Sequence, residues 1–97
     1  MTVTKSQNGT AVTLAVAGRL DTITAPDLEK EIQSLGGAES LEIDCKALDY
    51  ISSAGLRVLL SAHKAFAPKG GMTITNVSEM VLDIFDVTGF KDILSIK

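Results

Sequence analysis

The order of strand-like and helix-like segments is the feature that most limits how this chain can fold. Residues 11–17, 40–45 and 72–77 carry the apolar alternation or the β-branched residues typical of strands. Stretches with helical spacing or helix-start signals alternate with them, beginning near residues 24 and 53 and after residue 78. The resulting order, ββ-α-β-α-β-α, predicts an α/β fold with a mixed sheet and helices mainly on one face.

Local turn signals set the expected boundaries of these elements. Asn8-Gly9 is a two-residue turn signal that predicts a hairpin between residues 2–6 and 11–17. Gly18 is expected to end the second strand, so residues 18–22 are predicted as a loop. Residues 46–51 are predicted to be irregular, and residues 90–96 to form either a short strand or an apolar tail.

Two hydroxyl side chains stand where helices are expected to begin. Thr24 precedes Pro26 and Asp27, which predicts an N-cap followed by a proline and an acidic residue in the first turn. Ser78 has the same position before the third predicted helix, whose apolar stripe begins at Val81. Both residues are therefore expected to accept a hydrogen bond from a free N–H group of the helix start.

Length and composition exclude several classes of protein. A chain of 97 residues is expected to form one domain, residues 1–97. A net charge of -3 and 4% aromatic residues argue against nucleic-acid binding, and no apolar run has the length needed for membrane insertion. The single cysteine, Cys45, cannot form an internal disulfide, which favours a reducing cytoplasm.

The sequence also argues against an enzyme. A serine nucleophile at Ser53 needs a base within hydrogen-bonding reach. The only histidine, His63, lies ten positions further along the same predicted helix, or about 15 Å along its axis. One Cys and one His form no metal-ligand cluster, and no phosphate-binding glycine pattern is present. We therefore expect no catalytic residue, no metal and no cofactor.

The segment DYISSAGLRVLL, residues 49–60, contains the most informative side chains. At least one of Ser52 and Ser53 is expected to cap the helix that follows. A cap does not explain Gly55, since glycine costs about 1 kcal/mol relative to alanine in a helix. A phosphate is tolerated at a helix start, and Arg57 follows Ser53 by one turn. Capping and phosphorylation are therefore both compatible with this segment.

Three blocks of the chain resemble a known family. They are GRLDTITAPDLEKEI (residues 18–32), LEIDCKALDYISSAGLRVLL (residues 41–60) and MTITNVSEMVLDIFDVTGF (residues 72–90). Together they resemble a stand-alone STAS domain of the anti-sigma factor antagonist group. The resemblance implies the STAS fold, with a mixed four- to five-stranded sheet and helices mainly on one face.

The resemblance also implies a function and partners. An unphosphorylated antagonist would sequester an anti-sigma factor that has serine kinase activity, and would so free a sigma factor. Phosphorylation by that kinase would end the capture, and a PP2C-type phosphatase would reset it. The alternative within the family is a non-phosphorylated STAS regulatory subunit of a transporter or a larger signalling complex, in which Ser53 only caps the helix.

The family pattern D-S-S/T-G-L assigns roles to single residues. Aligned on Gly55-Leu56, Ser53 occupies the phosphoacceptor position, and Ser52 stands where the family usually has Asp, leaving Ser52 as a competing acceptor. Asp21, in the G-x-L-D loop, would contact a basic group on the kinase. The partner-binding residues implied are Asp21, Thr22, Ser52, Gly55 and Arg57.

Overall fold

The computed structural model of residues 1–97 contains six strands, three α-helices and one short 3₁₀ helix. In chain order these elements are β1 (Thr2–Asn8), β2 (Ala11–Leu20), α1 (Ala25–Gln33), β3 (Ser40–Asp44), β4 (Leu48–Ile51), α2 (Ser53–Phe66), β5 (Gly71–Thr75), α3 (Glu79–Val87), the 3₁₀ helix (Phe90–Asp92) and β6 (Ser95–Ile96). None of the helices combines the length and the apolar character that crossing a membrane requires.

All six strands belong to one mixed sheet. The main path runs β1-β2-β3-β5-β6, and β4 pairs with β2 outside that path. The β1–β2 hairpin is antiparallel, while every other pair is parallel. The predicted α/β class with a mixed sheet is confirmed, but the sheet has six strands rather than the four or five expected. The additional strand is β4, which lies where the sequence predicted an irregular segment.

One face of the sheet is apolar and carries the helices. Val12, Leu41 and Met72 are neighbours across β2, β3 and β5, and each is only 2% exposed. Helix α2 packs on β4 and β5, α3 packs on β4, and α1 packs against α2. The next residue of each strand points to the opposite face. These residues are also neighbours across the three strands, and they are polar and half-buried: Thr13, Glu42 and Thr73. The apolar alternation seen in the sequence therefore distinguishes a helix-covered face from a more open one.

The second strand does not end at Gly18 as predicted. It continues to Leu20, because β2 leaves β3 after Ala15 and pairs with β4 from Gly18 onward, with a register shift between Gly18 and Arg19. Gly18 has a φ of +91°, which glycine adopts without strain. The predicted loop at 18–22 is thus wrong for its first three residues, and β4 replaces most of the predicted irregular segment.

The two ends of the chain resolve the remaining boundary predictions. The hairpin is confirmed, but β1 continues to Asn8, which pairs with Ala11, so the loop is Gly9-Thr10 rather than Asn8-Gly9. At the other end a final strand does form: β6 pairs with β5 after the 3₁₀ helix.

Cys45 is part of the single apolar core and is 1% exposed. Burial, with a smaller contribution from the Asp44 carboxylate, raises the pKa of the Cys45 thiol to about 12. The thiol therefore stays protonated at neutral pH, which suits a packing role rather than a reactive one.

Candidate functional site

The ends of β2 and β4 bring two separate segments of the chain together. These strands are parallel, and their last residues, Leu20 and Ile51, are paired in the sheet. The Ser52 N–H donates a hydrogen bond of 2.9 Å to the Leu20 carbonyl. Because parallel strands end at the same edge of a sheet, the loop after β2 and the start of α2 leave that edge side by side.

Asp21 and Thr24 hold the loop after β2 through reciprocal hydrogen bonds. The Asp21 Oδ1 accepts from the backbone N–H groups of Ile23 at 3.0 Å and Thr24 at 3.1 Å. The Thr24 hydroxyl accepts from the Asp21 N–H at 2.9 Å and donates to the Arg19 carbonyl at 2.8 Å. This arrangement is a capping box with Asp21 as the cap. The prediction that the Thr24 side chain caps α1 is therefore wrong, since it makes no such bond.

Hydrogen bonds and a nearby guanidinium keep the Asp21 carboxylate ionised. The hydrogen bond from the Thr24 N–H is the largest influence that lowers its pKa below the usual value of 3.8, with smaller contributions from Ile23 and Arg19. The Arg19 Nε lies 3.9 Å from the Asp21 Oδ2, and the guanidinium lies 4.4 Å from the centre of the Tyr50 ring. Asp21 thus remains 30% exposed and ionised at neutral pH, although it also shapes its own loop.

Two Asp21 variants separate these structural and charge roles. Asp21→Ala removes the cap and should lower the melting temperature, whereas Asp21→Asn keeps a capping oxygen and should lower it less. Since the pKa of Asp21 is lowered by folding, its charged form stabilises the protein above pH 3.8, and this contribution is lost as the pH falls through the folded-state pKa. Thermal melts from pH 7 to pH 2 should show a smaller acid-induced loss for Asp21→Asn than for wild type. Equal losses would contradict the charge role.

Ser52 caps α2, which confirms that one of the two serines has this role. It has an extended backbone, with φ -97° and ψ 175°, and its hydroxyl accepts from the Gly55 N–H at 3.4 Å. The side chain is half-buried. Ser53 is instead the first residue of the helix and is exposed. The idea that Ser53 itself caps the helix is therefore not supported, because Ser52 supplies the cap.

Gly55 is buried beneath the helix start. A Cβ atom added there would lie 2.7 Å from the Leu20 Cγ, 2.8 Å from the Ile51 Cγ1 and 3.0 Å from the Leu20 carbonyl oxygen. Gly55 is buried in this structure, so its observed role is packing, and its predicted contact with a partner stays a prediction. Its absence of a side chain lets α2 approach the ends of β2 and β4.

Thr22 and Arg57, two of the predicted contact residues, line the same shallow groove. The groove has a volume of about 250 Å³ and lies between the first turns of α1 and α2. Its other lining residues are Ala25, Pro26, Glu29, Ala54 and Val58. Both predicted residues are exposed. The structure thus brings Asp21, Thr22, Ser52, Ser53 and Arg57 to one edge of the molecule.

Ile23 is the residue in this region that sequence reasoning missed. It follows Thr22 directly, and 84% of it is exposed to solvent. The available signal was a large apolar residue between two threonines, at the junction of the predicted loop and the predicted helix start. Only the structure reveals that this side chain points away from the core.

This edge presents one exposed hydroxyl at the start of α2, that of Ser53. Ser53 and His63 lie on the same helix, ten residues apart, or about 15 Å, so His63 is too far to act as its base. No group of three or more His, Cys, Asp or Glu side chains is arranged to hold a metal ion.

Comparisons with known proteins identify the family. A family model for the STAS domain matches residues 2–97. The anti-sigma-B factor antagonist of Bacillus subtilis (strain 168) is 36% identical over 93 residues, covering 93% of this chain and 84% of that protein. An anti-sigma factor antagonist from Mycobacterium paratuberculosis has a similar structure, with a TM-score of 0.88, 22% identity, and coverage of 98% of this chain and 83% of that one.

A further solved structure has the same fold. The Bacillus cell fate determinant SpoIIAA in its phosphorylated form has a TM-score of 0.76 and 15% identity, and the match covers 99% of this chain and 91% of that one. At 22% and 15% identity the two solved structures support the fold alone. Membership of the family is shown by the family model and by the Bacillus subtilis relative. The predicted resemblance is confirmed: this chain belongs to the STAS domain family.

Proposed function

We propose that this chain is an anti-sigma factor antagonist that captures an anti-sigma factor with serine kinase activity and thereby frees a sigma factor. The single observation that carries the proposal is the exposed Ser53 at the first position of α2, beside the Asp21 loop. The 36% identity to an anti-sigma-B factor antagonist supports this function over a transporter subunit. The proposed site of action is the cytoplasm, where Cys45 would remain reduced.

Within this proposal Ser53, rather than Ser52, is the phosphoacceptor. The Ser52 hydroxyl is occupied by the Gly55 N–H, its own N–H is bonded to Leu20, and its side chain is half-buried. A kinase would have to break the cap to reach it. Ser53 is exposed and its modification leaves those bonds in place, so the geometry favours it over the competing serine.

Phosphorylation of Ser53 is proposed to alter the surface while sparing the fold. A phosphate adds a charge of about -1.5 to -2 and is favoured at a helix start, where the helix dipole is positive. Arg57, one turn further along α2, is positioned to share that charge. Asp21 supplies a second negative group at the same edge, so the partner would meet a more acidic surface. A PP2C-type phosphatase would restore the binding-competent form.

The acceptor assignment is tested by incubating the protein with ATP and the anti-sigma factor kinase of the same organism. Mass spectrometry should locate one phosphate at Ser53. Ser53→Ala should abolish the modification, whereas Ser52→Ala should retain it even though its helix cap is weakened. Phosphate on Ser52 alone, or no phosphate on the wild-type protein, would refute the assignment.

A further inference from the structure

The exposed apolar side chains of this protein are few and unevenly placed. Its strongly exposed large hydrophobic residues are Ile23 at 84%, Met80 at 59%, Val87 at 87% and Ile93 at 47%. A single exposed hydrophobic residue is ordinary on a protein surface. Ile23 differs from the other three because it lies in the loop after β2, which leaves the same edge of the sheet as the start of α2 and Ser53.

The loop that carries Ile23 is held in place before any partner arrives. The Ile23 N–H donates to the Asp21 Oδ1 at 3.0 Å, and Thr24 is tied to Asp21 and to the Arg19 carbonyl. Pro26 restricts the backbone immediately after this turn. A side chain presented by such a fixed backbone loses little conformational entropy on binding, and this favours affinity.

Several polar residues lie at the same edge as Ile23, as expected for the rim of an interface. Thr22 and Arg57 line the adjacent groove, Ser53 begins the neighbouring helix, and Asp21 contributes a partly exposed carboxylate. Interfaces commonly combine an apolar centre with a polar rim, and most of the binding energy comes from a few central residues.

We infer that Ile23 is the apolar anchor of the partner-binding surface and inserts into an apolar pocket of the anti-sigma factor kinase. This inference rests on the proposed function. The pocket on the kinase would be flanked by a basic group facing Asp21 and an acidic group facing Arg57, which matches the charges at this edge. Ile23 thus supplies affinity, while Ser53 supplies the switch.

The test compares Ile23→Ser with Val87→Ser, a control that removes an equally exposed apolar side chain from the end of α3. Binding to the purified kinase is measured in ADP, so that Ser53 stays unmodified. Ile23→Ser should weaken binding about tenfold or more, mainly through faster dissociation and equally at low and high salt. Val87→Ser should bind within about twofold of wild type, and Ile23→Leu should recover most of the affinity. Both serine variants should keep the wild-type melting temperature.

The possible failures are distinguishable. If wild type binds and Ile23→Ser binds as tightly, the anchor is wrong while the proposed function stands. The same conclusion follows if Val87→Ser weakens binding as much as Ile23→Ser, because the effect is then not specific to this edge. If wild type does not bind the kinase, the proposed function fails and the anchor fails with it.

Discussion

Replacing Gly55 with valine is expected to lower the free energy of unfolding by about 3 kcal/mol, near the upper end of the usual cost of overpacking a core. The added Cβ would lie 2.7 Å from the branch-point Cγ of Leu20, 2.8 Å from the Cγ1 methylene of Ile51, and 3.0 Å from the Leu20 backbone oxygen. None of these atoms is the free end of a flexible side chain, so helix α2 or the strand ends must shift. For a domain of this size the melting temperature should fall by about 12–24 °C.

A graded series makes this result specific. Gly55→Ala should cost about 1–2 kcal/mol, because the gain of about 1 kcal/mol in helix propensity offsets part of the overpacking. Gly36 is the matched control, since a Cβ there meets no atom within 4 Å and its φ is not in the left-handed region. Urea unfolding of Gly36→Ala and Gly36→Val should give wild-type stability or slightly more. Equal stability of the Gly55 and Gly36 variants would contradict the packing role.

The Gly55 contacts also explain why the sequence did not reveal the packing role of this residue. From the sequence, helix capping did not explain Gly55, and the family pattern implied only a contact with a partner. Its actual neighbours include Leu20, which is 35 positions away in the chain and is adjacent only because β2 runs on to pair with β4. Long-range proximity of this kind has no local sequence signal.

The same long-range pairing limited the prediction of the fold. Strands β2, β3 and β5 were predictable because their buried residues alternate with more exposed ones. In β4 the two buried residues, Leu48 and Ile51, are three positions apart, a spacing that does not indicate a strand. The pairing of β4 with β2 begins at Gly18, and a glycine at that place in the sequence also has the signature of a strand end.

Among the side chains at the site, some roles could be predicted from local spacing and others could not. The caps at Ser52 and Ser78 were predictable, because each donor lies three residues from its acceptor. Asp21 was predicted only as a partner contact, yet its carboxylate also caps the turn before α1. The family pattern implies a partner contact for Asp21, whereas the structure reveals the hydrogen bonds that its carboxylate already makes.

Phosphorylation of Ser53 is expected to reduce binding to the anti-sigma factor kinase by up to about 10⁴-fold, equivalent to about 5.5 kcal/mol. Much of this loss comes from placing a dianion in a contact that must lose its water. The melting temperature should stay the same or rise, since the charge lies at the favourable end of α2. Calorimetric titration of the two forms with kinase, together with thermal melts, measures both quantities.

Charge placement, rather than charge alone, is what this prediction requires. Ser53→Asp should weaken binding less than phosphate does, because Asp carries less charge, and Ser53→Ala should bind like wild type. Ser61 is the matched control: it is an exposed serine on α2 eight residues further along, or about 12 Å from the helix start. Ser61→Asp adds the same charge away from the Asp21 loop and should bind within a few-fold of wild type. If Ser61→Asp and Ser53→Asp weaken binding equally, net charge controls the interaction and Ser53 is not a positioned switch.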